Sequence, residues 1–225
     1  MTVEFGTFET LPYIIHAPAD FDKNRKYPIL LHIHGAGTRG ITLEEYAASD
    51  SFPMMRASAG NELVIISPHC TKNSWYDLFE TLIRFAHFVK DLPFADPERL
   101  YLMGISMGGY AAWQLAMSQP ELFAAIVPIC GGGMYWNAKR LINVPVWAFH
   151  GKLDPTVLVT ESEKMVNAVN KKGGNARLTV YPENAHNAWD DTYSNPEVYR
   201  WLLTHQKSNA KPLVNEYSNN AKAFG

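Results

Sequence analysis

Uninterrupted apolar runs constrain the fold of this chain more than any other feature. Four runs rich in Ile, Val, Leu and aromatic residues occupy 29–33, 63–66, 100–105 and 144–149. Continuous runs of this length, bounded by Gly or Pro, are typical of strands buried on both faces of a parallel sheet. A further strand is predicted over 177–181. The sequence therefore predicts a mostly parallel sheet covered on both sides.

Helical patterns alternate with these runs. Residues 77–92 place apolar side chains at steps of three or four, and helices are also predicted from Met107 and over 161–171. Pro196 marks the first turn of a last helix, with Asn195 before it as the N-cap. This alternation favours an α/β fold in which helices flank the sheet.

The ends of the chain differ from its middle. Residues 11–17 are expected to form an edge strand, and residues 208–225 form a polar tail expected to wrap the surface or contact a partner chain. With no linker or repeat between them, 1–225 is interpreted as a single domain.

Charge and composition exclude several classes of function. The chain of 225 residues has 20 Lys+Arg against 22 Asp+Glu. This balance offers no patch for nucleic acid or an anionic membrane. No apolar stretch approaches the roughly 20 residues of a membrane span. No secretory signal pattern opens the sequence, so a cytoplasmic location is expected. Cys70 and Cys130 are too few for a disulfide framework or a zinc motif, and no metal is expected.

A glycine motif after the first apolar run suggests a dinucleotide cofactor. Gly35, Gly37 and Gly40 match the pattern G-x-G-x-x-G. That motif needs a helix opening on the glycines and an acidic residue at the end of the next strand. Here Pro53 interrupts the segment that follows, and the next strand ends at Pro68 without an acid. We therefore expect no cofactor.

A second glycine motif indicates nucleophilic catalysis. Ser106 lies between Gly104 and Gly108, where a predicted strand passes into a predicted helix. In this context G-x-S-x-G is typical of a nucleophile elbow, although the pentapeptide also occurs in ordinary loops. The small side chains of Ala111 and Ala112 would let that helix lie close to the sheet.

A serine nucleophile needs a histidine base and an acid that orients the histidine. In the chain order expected for such a triad, the acid follows the serine and precedes the histidine. The acid and the histidine each come directly after a strand that is later than the one before the serine. Asp154 follows the run 144–149 and His186 follows the strand 177–181. They are the predicted acid and base for Ser106.

Alternatives to these two residues remain open. Asp154 precedes a proline and could be a turn residue. Asp190 and Asp191 are runner-up acids, and His150 and His205 are the competing histidines.

The same mechanism needs two backbone N–H groups that stabilise an oxyanion. The residue after the nucleophile, Met107, is expected to supply one. Ala36, in the glycine loop, is expected to supply the other, and His34 is expected to support that loop.

These motifs together resemble the α/β-hydrolase superfamily. The matching stretches are 27–40, 99–109, 123–132, 145–151 and 201–203. The chain is most similar to bacterial esterases labelled predicted peptidase, phospholipase/carboxylesterase or polyhydroxybutyrate-depolymerase-like. The resemblance implies the roles given above for Ser106, Asp154 and His186. It also implies the strand order 1-2-4-3-5-6-7-8, with the first strands missing or shortened because little precedes Leu11.

The sequence leaves no room for a cap domain. Only residues 131–143 separate two predicted strands where such folds carry a lid. An open cleft favours small soluble esters or acyl groups on a carbohydrate, and disfavours an interfacial lipase. Aromatic residues near the rim are expected to bind substrate or to cap the core. They are Trp75, Tyr76, Tyr135 and Trp136.

The resulting prediction is a serine carboxylic-ester hydrolase that forms an acyl-enzyme. Two alternatives are a serine peptidase or amidase of the same fold, and a non-catalytic binding protein. The expected partner is a small-molecule or carbohydrate-linked ester, with no nucleic acid or membrane, and self-association is possible. The strand order places Cys70 and Cys130 too far apart for a disulfide.

Overall fold

Eight strands form one sheet in the computed structural model, which describes residues 2–207. The strands are β1 (Thr2–Phe8), β2 (Leu11–Ala17), β3 (Tyr27–Ile33), β4 (Val64–Pro68), β5 (Ala95–Ile105), β6 (Ala125–Ile129), β7 (Val146–Gly151) and β8 (Ala176–Tyr181). Their order is β1-β2-β4-β3-β5-β6-β7-β8. The two pairings that involve β2 are antiparallel, and all the others are parallel. The predicted mostly parallel sheet is confirmed.

Helices cover both faces of the sheet. They are α1 (Leu43–Ala47), α2 (Ser51–Ala59), α3 (Phe79–Lys90), α4 (Met107–Ser118), α5 (Val159–Lys171), α6 (Ala188–Tyr193) and α7 (Pro196–Leu203). Short 3-10 helices occupy Ala36–Gly40, Trp75–Leu78 and Tyr135–Leu141. Buried side chains of α3, α4 and α5 pack on one face, and those of α1, α2, α6 and α7 pack on the other.

The continuous apolar runs have a direct structural cause. In β3, Ile29 and Leu31 belong to the core on one face, whereas Leu30 belongs to the core on the other. All three side chains are fully buried. Because successive residues of a strand point to opposite faces, a strand covered on both sides needs apolar residues at every position.

The prediction for the start of the chain is wrong. β2 is not an edge strand, and the first strand is not missing. β1 pairs with β2 along its full length, from Thr2 opposite Ala17 to Phe8 opposite Leu11. β1 is largely exposed, with Phe5 at 52%. It therefore lacks the apolar run that identifies the central strands.

Pro53 does not interrupt the chain as the sequence suggests. It is the third residue of α2 and lies in the first turn. The first turn of a helix has no intrahelical acceptor for its N–H groups, so the missing N–H of proline is tolerated there. The glycine loop before it leads into a 3-10 helix at Ala36–Gly40, and not into the helix that a dinucleotide fingerprint requires.

The connection from β6 to β7 contains the 3-10 helix Tyr135–Leu141, and no cap domain is inserted there. No helix within residues 2–207 has the length and apolar character required to cross a bilayer. Cys70 and Cys130 are buried free thiols, which confirms that they form no disulfide. The predicted polar tail, 208–225, lies outside the described residues.

Candidate active site

The predicted site residues all follow the carboxyl ends of parallel strands. Ser106 follows β5, Asp154 follows β7 and His186 follows β8, and the glycine loop that contains Ala36 follows β3. Parallel strands bring these ends to one edge of the sheet, where ligands bind in open α/β sheets.

Ser106 lies in a strained turn between β5 and α4. Its φ of 53° and ψ of −117° place it in the left-handed half of backbone space, which residues with a Cβ rarely adopt. The turn is held by a hydrogen bond of 2.9 Å from the Ser106 N–H to the carbonyl of Ile129. A Cβ at Gly104 would lie 2.1 Å from the carbonyl oxygen of Gly108. The glycine at 104 is therefore required for the tight turn that presents the serine.

Ser106, His186 and Asp154 form a hydrogen-bonded chain. The Nε2 atom of His186 lies 2.8 Å from the hydroxyl of Ser106, and its Nδ1 atom lies 2.6 Å from Oδ2 of Asp154. Because a carboxylate only accepts, Nδ1 carries the hydrogen and Nε2 keeps its lone pair for the serine hydroxyl. The side chain of Asp154 has no exposed surface, and that of His186 is 20% exposed. The arrangement can remove a proton from Ser106 when a substrate is present.

The carboxylate of Asp154 is stabilised in its ionised form. Its Oδ1 accepts hydrogen bonds of 2.9 Å from the N–H groups of Thr156 and Val157. Burial acts to raise the pKa of Asp154, but the bonds from His186, Val157 and Thr156 hold it below its ordinary value. Asp154 is therefore charged at neutral pH, as an acid that orients a histidine must be.

The loop that carries His186 packs tightly against the end of β7. A Cβ at Gly151 would lie 2.1 Å from the carbonyl oxygen of Ala185. The ring of Trp189 packs edge-on against His186 at 5.3 Å between centroids. Neither Gly151 nor Trp189 was singled out from the sequence. The glycine directly after His150 is the sequence signal that could have identified the close approach of the His186 loop to β7.

The alternative acids and histidines occupy other positions. Asp190 and Asp191 lie on α6, and Asp191 accepts a hydrogen bond from Asn184. His205 follows α7, and its Nδ1 atom lies 2.8 Å from the carbonyl of Trp201. His150 is fully buried, and its Nε2 atom lies 3.4 Å from Oδ2 of Asp154. The structure pairs His186 with Asp154.

The two predicted oxyanion donors each begin a helix close to Ser106. Met107 is the first residue of α4, and Ala36 is the first residue of a 3-10 helix. The N–H groups of a first helical residue have no intrahelical acceptor, so both are available to a ligand. Gly35 brings the two segments together, since a Cβ there would lie 3.4 Å from the Cβ of Ser106.

His34 supports the glycine loop through hydrogen bonds at both ring nitrogens. Its Nδ1 atom donates to the carbonyl of Gly35 at 2.7 Å, and its Nε2 atom accepts from the N–H of Cys70 at 2.9 Å. Burial lowers the pKa of His34 to about 3, so the ring is neutral. The ring is 1% exposed. Its contacts agree with the supporting role expected for it.

Arg39 links the glycine loop to the segment after β4. Its Nε atom donates to the carbonyl of Ala36 at 2.9 Å, and its guanidinium also donates to the carbonyl of Asn73. The cleft beside Ala36 is lined by residues of both segments. They are Ala36, Gly37, Arg39, Gly40, Thr71, Lys72 and Asn73. Arg39 is not predicted as a site residue from the sequence, although a charged residue within a glycine loop is a usable signal.

The expected substrate contact of Trp75 is wrong. Trp75 is fully buried, and its indole N–H donates to the carbonyl of His34 at 2.9 Å. It therefore holds the glycine loop and presents no surface to a ligand. Trp136 is 69% exposed, and its ring packs edge-on against the ring of Tyr135. Tyr76 is 52% exposed.

Asp154 also lies close to two further side chains of types that can bind a metal ion. The ligand atoms of Cys130, His150 and Asp154 lie within 4.8 Å of one another, and all three residues are buried. Two of the three already have partners, since Asp154 binds His186 and His150 contacts the carbonyl of Val157. The group is therefore better described as part of the hydrogen-bonded site.

The chain matches the model of a known protein family. Residues 72–220, more than half of the sequence, match the model of the dienelactone hydrolase family. The chain belongs to the dienelactone hydrolase family. This family lies within the α/β-hydrolase superfamily, which confirms the resemblance that the sequence motifs indicated.

The relatives of this family member include proteins that are named as peptidases. Dipeptidyl-peptidase 5 of Porphyromonas gingivalis is 21% identical over 218 residues, which cover 75% of this chain and 32% of the relative. Probable dipeptidyl-peptidase 5 of Aspergillus clavatus is 25% identical over 258 residues, with 91% and 34% covered. The chain thus spans about a third of the length of these relatives.

Solved structures similar to this family member include esterases. A thermostable esterase matches with a TM-score of 0.78 and 30% identity, covering 91% of this chain and 63% of that one. A putative dienelactone hydrolase from Klebsiella pneumoniae matches with a TM-score of 0.64 and 18% identity, covering 91% and 96%. The second likeness supports the fold alone.

Proposed function

We propose that this protein is a serine carboxylic-ester hydrolase that works through an acyl-enzyme. The observation that carries the proposal is the chain from Ser106 to His186 to Asp154, with separations of 2.8 and 2.6 Å, on a strained turn at the carboxyl edge of the sheet. A hydrolase of this superfamily uses these three groups as nucleophile, base and acid.

The first half of the reaction forms the acyl-enzyme. The Oγ atom of Ser106 attacks the ester carbonyl carbon while Nε2 of His186 takes the hydroxyl proton. The N–H groups of Ala36 and Met107 stabilise the negative charge on the carbonyl oxygen. The bond from the carbonyl carbon to the alcohol oxygen then breaks, and His186 gives its proton to the departing alcohol.

The second half releases the acid. A water molecule attacks the acyl carbon and passes a proton to His186. The bond to Ser106 then breaks, the serine recovers its proton, and a carboxylic acid leaves. Asp154 keeps the Nδ1 hydrogen of His186 in place and stabilises the imidazolium formed in both halves.

An ester substrate is supported by two observations besides the site. The thermostable esterase is 30% identical over 91% of this chain. The connection from β6 to β7 contains a short 3-10 helix and no cap domain, and Ser106 is half-buried. The exposed rings of Tyr76, Tyr135 and Trp136 lie on segments that follow strands β4 and β6. An open cleft suits small esters and acyl groups that project from a carbohydrate.

The proposal is tested with p-nitrophenyl butyrate. We expect a burst of p-nitrophenol equal to the enzyme concentration, followed by slower turnover, because the activated nitrophenyl ester acylates the serine faster than the acyl-enzyme is hydrolysed. The Ser106→Ala variant should lose the burst and the turnover. Ser118→Ala, at the far end of α4, is the matched control and should retain both. Unchanged hydrolysis by Ser106→Ala would overturn the proposal.

A serine peptidase or amidase is the second candidate function. The relatives named dipeptidyl-peptidase 5 favour it, although the chain spans about a third of their length. The same groups can attack an amide, but the amine leaving group requires protonation before it departs. Matched butyryl ester and butyryl anilide substrates separate the two functions. An anilide that is hydrolysed faster than the ester would favour the amidase.

A further inference from the structure

The acid of the site is contacted by a second histidine. Oδ2 of Asp154 lies 2.6 Å from Nδ1 of His186 and 3.4 Å from Nε2 of His150. His150 is the last but one residue of β7 and has no exposed surface. It cannot reach a substrate, so any effect on the reaction must pass through the residues that it contacts.

The hydrogen bonds of His150 fix its proton on Nε2. This atom lies 2.8 Å from the carbonyl of Val157, and a carbonyl and a carboxylate both accept. Burial lowers the pKa of His150, so the neutral ring carries its one hydrogen on Nε2. The N–H therefore donates to the carbonyl of Val157, and Oδ2 of Asp154 lies 3.4 Å from the same nitrogen.

The other side of the ring is anchored as well. Nδ1 of His150 lies 2.7 Å from the hydroxyl of Ser162 on α5. With the ring hydrogen on Nε2, Nδ1 accepts the single hydrogen of that hydroxyl, which is then not donated to the carbonyl of Gly131, 2.9 Å from the same oxygen. The ring thus connects β7 and α5, with a hydrogen-bond partner at each nitrogen.

Val157 gives His150 a second route to the acid. The N–H of Val157 donates to Oδ1 of Asp154 at 2.9 Å, and its carbonyl receives the His150 hydrogen bond. One residue therefore holds Oδ1 and is itself held by the histidine that faces Oδ2. Movement of His150 would displace both oxygens of the carboxylate.

We propose that His150 is a positioning residue for the reaction: its Nε2 hydrogen fixes the Asp154 carboxylate and the 154–157 turn so that Oδ2 faces His186. The inference rests on the proposed function. It predicts that His150 affects the chemical step and not substrate binding, because misplacement of a catalytic group by a fraction of an ångström lowers the rate.

The test measures kcat and KM for p-nitrophenyl butyrate in three His150 backgrounds. His150→Phe keeps a buried ring but removes the hydrogen, and we expect kcat to fall about tenfold to a hundredfold. KM should stay within about twofold, since no substrate contact is lost. His150→Gln carries an amide N–H at a similar reach and should recover most of the lost kcat.

A double-mutant cycle identifies the route of the effect. In the Asp154→Asn background, His150→Phe should change kcat by less than about twofold, because the group through which it acts is already impaired. An equal loss in both backgrounds would show that His150 acts independently of Asp154 and would overturn the inference. So would wild-type kcat in His150→Phe.

Controls separate folding from positioning. His16→Phe replaces another fully buried histidine, in β2, and should leave kcat unchanged. If His150→Phe gives no cooperative thermal transition, His150→Asn replaces it with the same expectations, because its shorter amide does not reach Val157. Ser106→Ala measured alongside tells the two failures apart. Activity retained in Ser106→Ala contradicts the proposed function, whereas activity lost there but retained in His150→Phe contradicts this inference alone.

Discussion

Gly108 of α4 lies directly against Ile33 at the end of β3: a Cβ built on Gly108 would be 2.1 Å from the Ile33 carbonyl oxygen. This contact sets the distance between the nucleophile turn and the glycine loop, because Ser106 and Ala36 each lie within a few residues of it. The two proposed oxyanion donors are therefore spaced by backbone contact, without an intervening side chain.

Gly108→Ala should destabilise the protein and lower kcat. Alanine normally stabilises a helix relative to glycine by about 1 kcal/mol, but here its methyl group would force β3 and α4 apart, at a cost of about 1–3 kcal/mol. Urea unfolding and ester hydrolysis measure the two effects. Gly40→Ala is the control, since a Cβ there meets nothing within 4 Å. Equal free energies of unfolding for the two variants would contradict the predicted clash at position 108.

Asp154→Asn should lower kcat by about 10³ to 10⁴-fold with a smaller effect on KM, because the amide no longer holds the Nδ1 hydrogen of His186. Asp191→Asn, which alters a runner-up acid on α6, should retain activity within about twofold of wild type. The comparison uses initial rates with p-nitrophenyl butyrate. A large loss in Asp191→Asn with none in Asp154→Asn would exchange the two assignments.

Much of this site could be predicted from the sequence because its signals are local. Ser106 is marked by two glycines that the turn needs. Asp154 follows a strand that forms an apolar run, and His186 follows the further predicted strand. The contacts that support them are not local. The indole of Trp75 reaches the carbonyl of His34 across 41 positions, which no spacing rule predicts. An aromatic residue near a rim can equally be buried, and here it is.

β1 illustrates the corresponding limit for the fold. Its side chains are largely exposed, so pairing with β2 stabilises it more than burial does. A strand without a buried face carries no hydrophobic period strong enough to identify it. The helices α1 and α6, of 5 and 6 residues, were missed for a similar reason, since each completes fewer than two turns.

Arg39→Met should lower kcat by weakening the glycine loop. The guanidinium joins the carbonyls of Ala36 and Asn73, and loss of hydrogen bonds to a charged group costs about 1.5–3 kcal/mol. We expect a fall in kcat of about tenfold, equivalent to about 1.4 kcal/mol of transition-state stabilisation. Arg25→Met, which removes a cation packed on Tyr27, is the control. Equal kcat in both variants would exclude a role for Arg39 in the loop.

His16→Phe should make the protein more resistant to acid. Burial, aided by the charge of Arg56, lowers the pKa of His16 to about 4 from an ordinary value of 6.5. Between pH 6.5 and about 4, the unfolded chain therefore binds a proton at His16 that the folded chain does not bind. The free energy of unfolding is unaffected by this group above pH 6.5 and falls as the pH drops to about 4.

This linkage sets the size of the expected effect. At pH 4 the histidine at position 16 lowers the free energy of unfolding by up to about 3 kcal/mol, since one pKa unit corresponds to about 1.4 kcal/mol. Within residues 2–207 neither ring nitrogen of His16 has a hydrogen-bond partner, so phenylalanine should change little at pH 7.5. Urea unfolding at pH 7.5 and pH 5 measures the difference. A gain of the same size at both pH values would contradict the linkage.

The most direct test of the central claim is covalent trapping of the nucleophile. A fluorophosphonate ester reacts with a serine that is activated by a histidine, so the intact protein should gain one adduct and lose its esterase activity in parallel. Peptide mapping should place the adduct on Ser106, and Ser106→Ala should gain none. An adduct on a different residue, or full inactivation without an adduct on Ser106, would contradict the account.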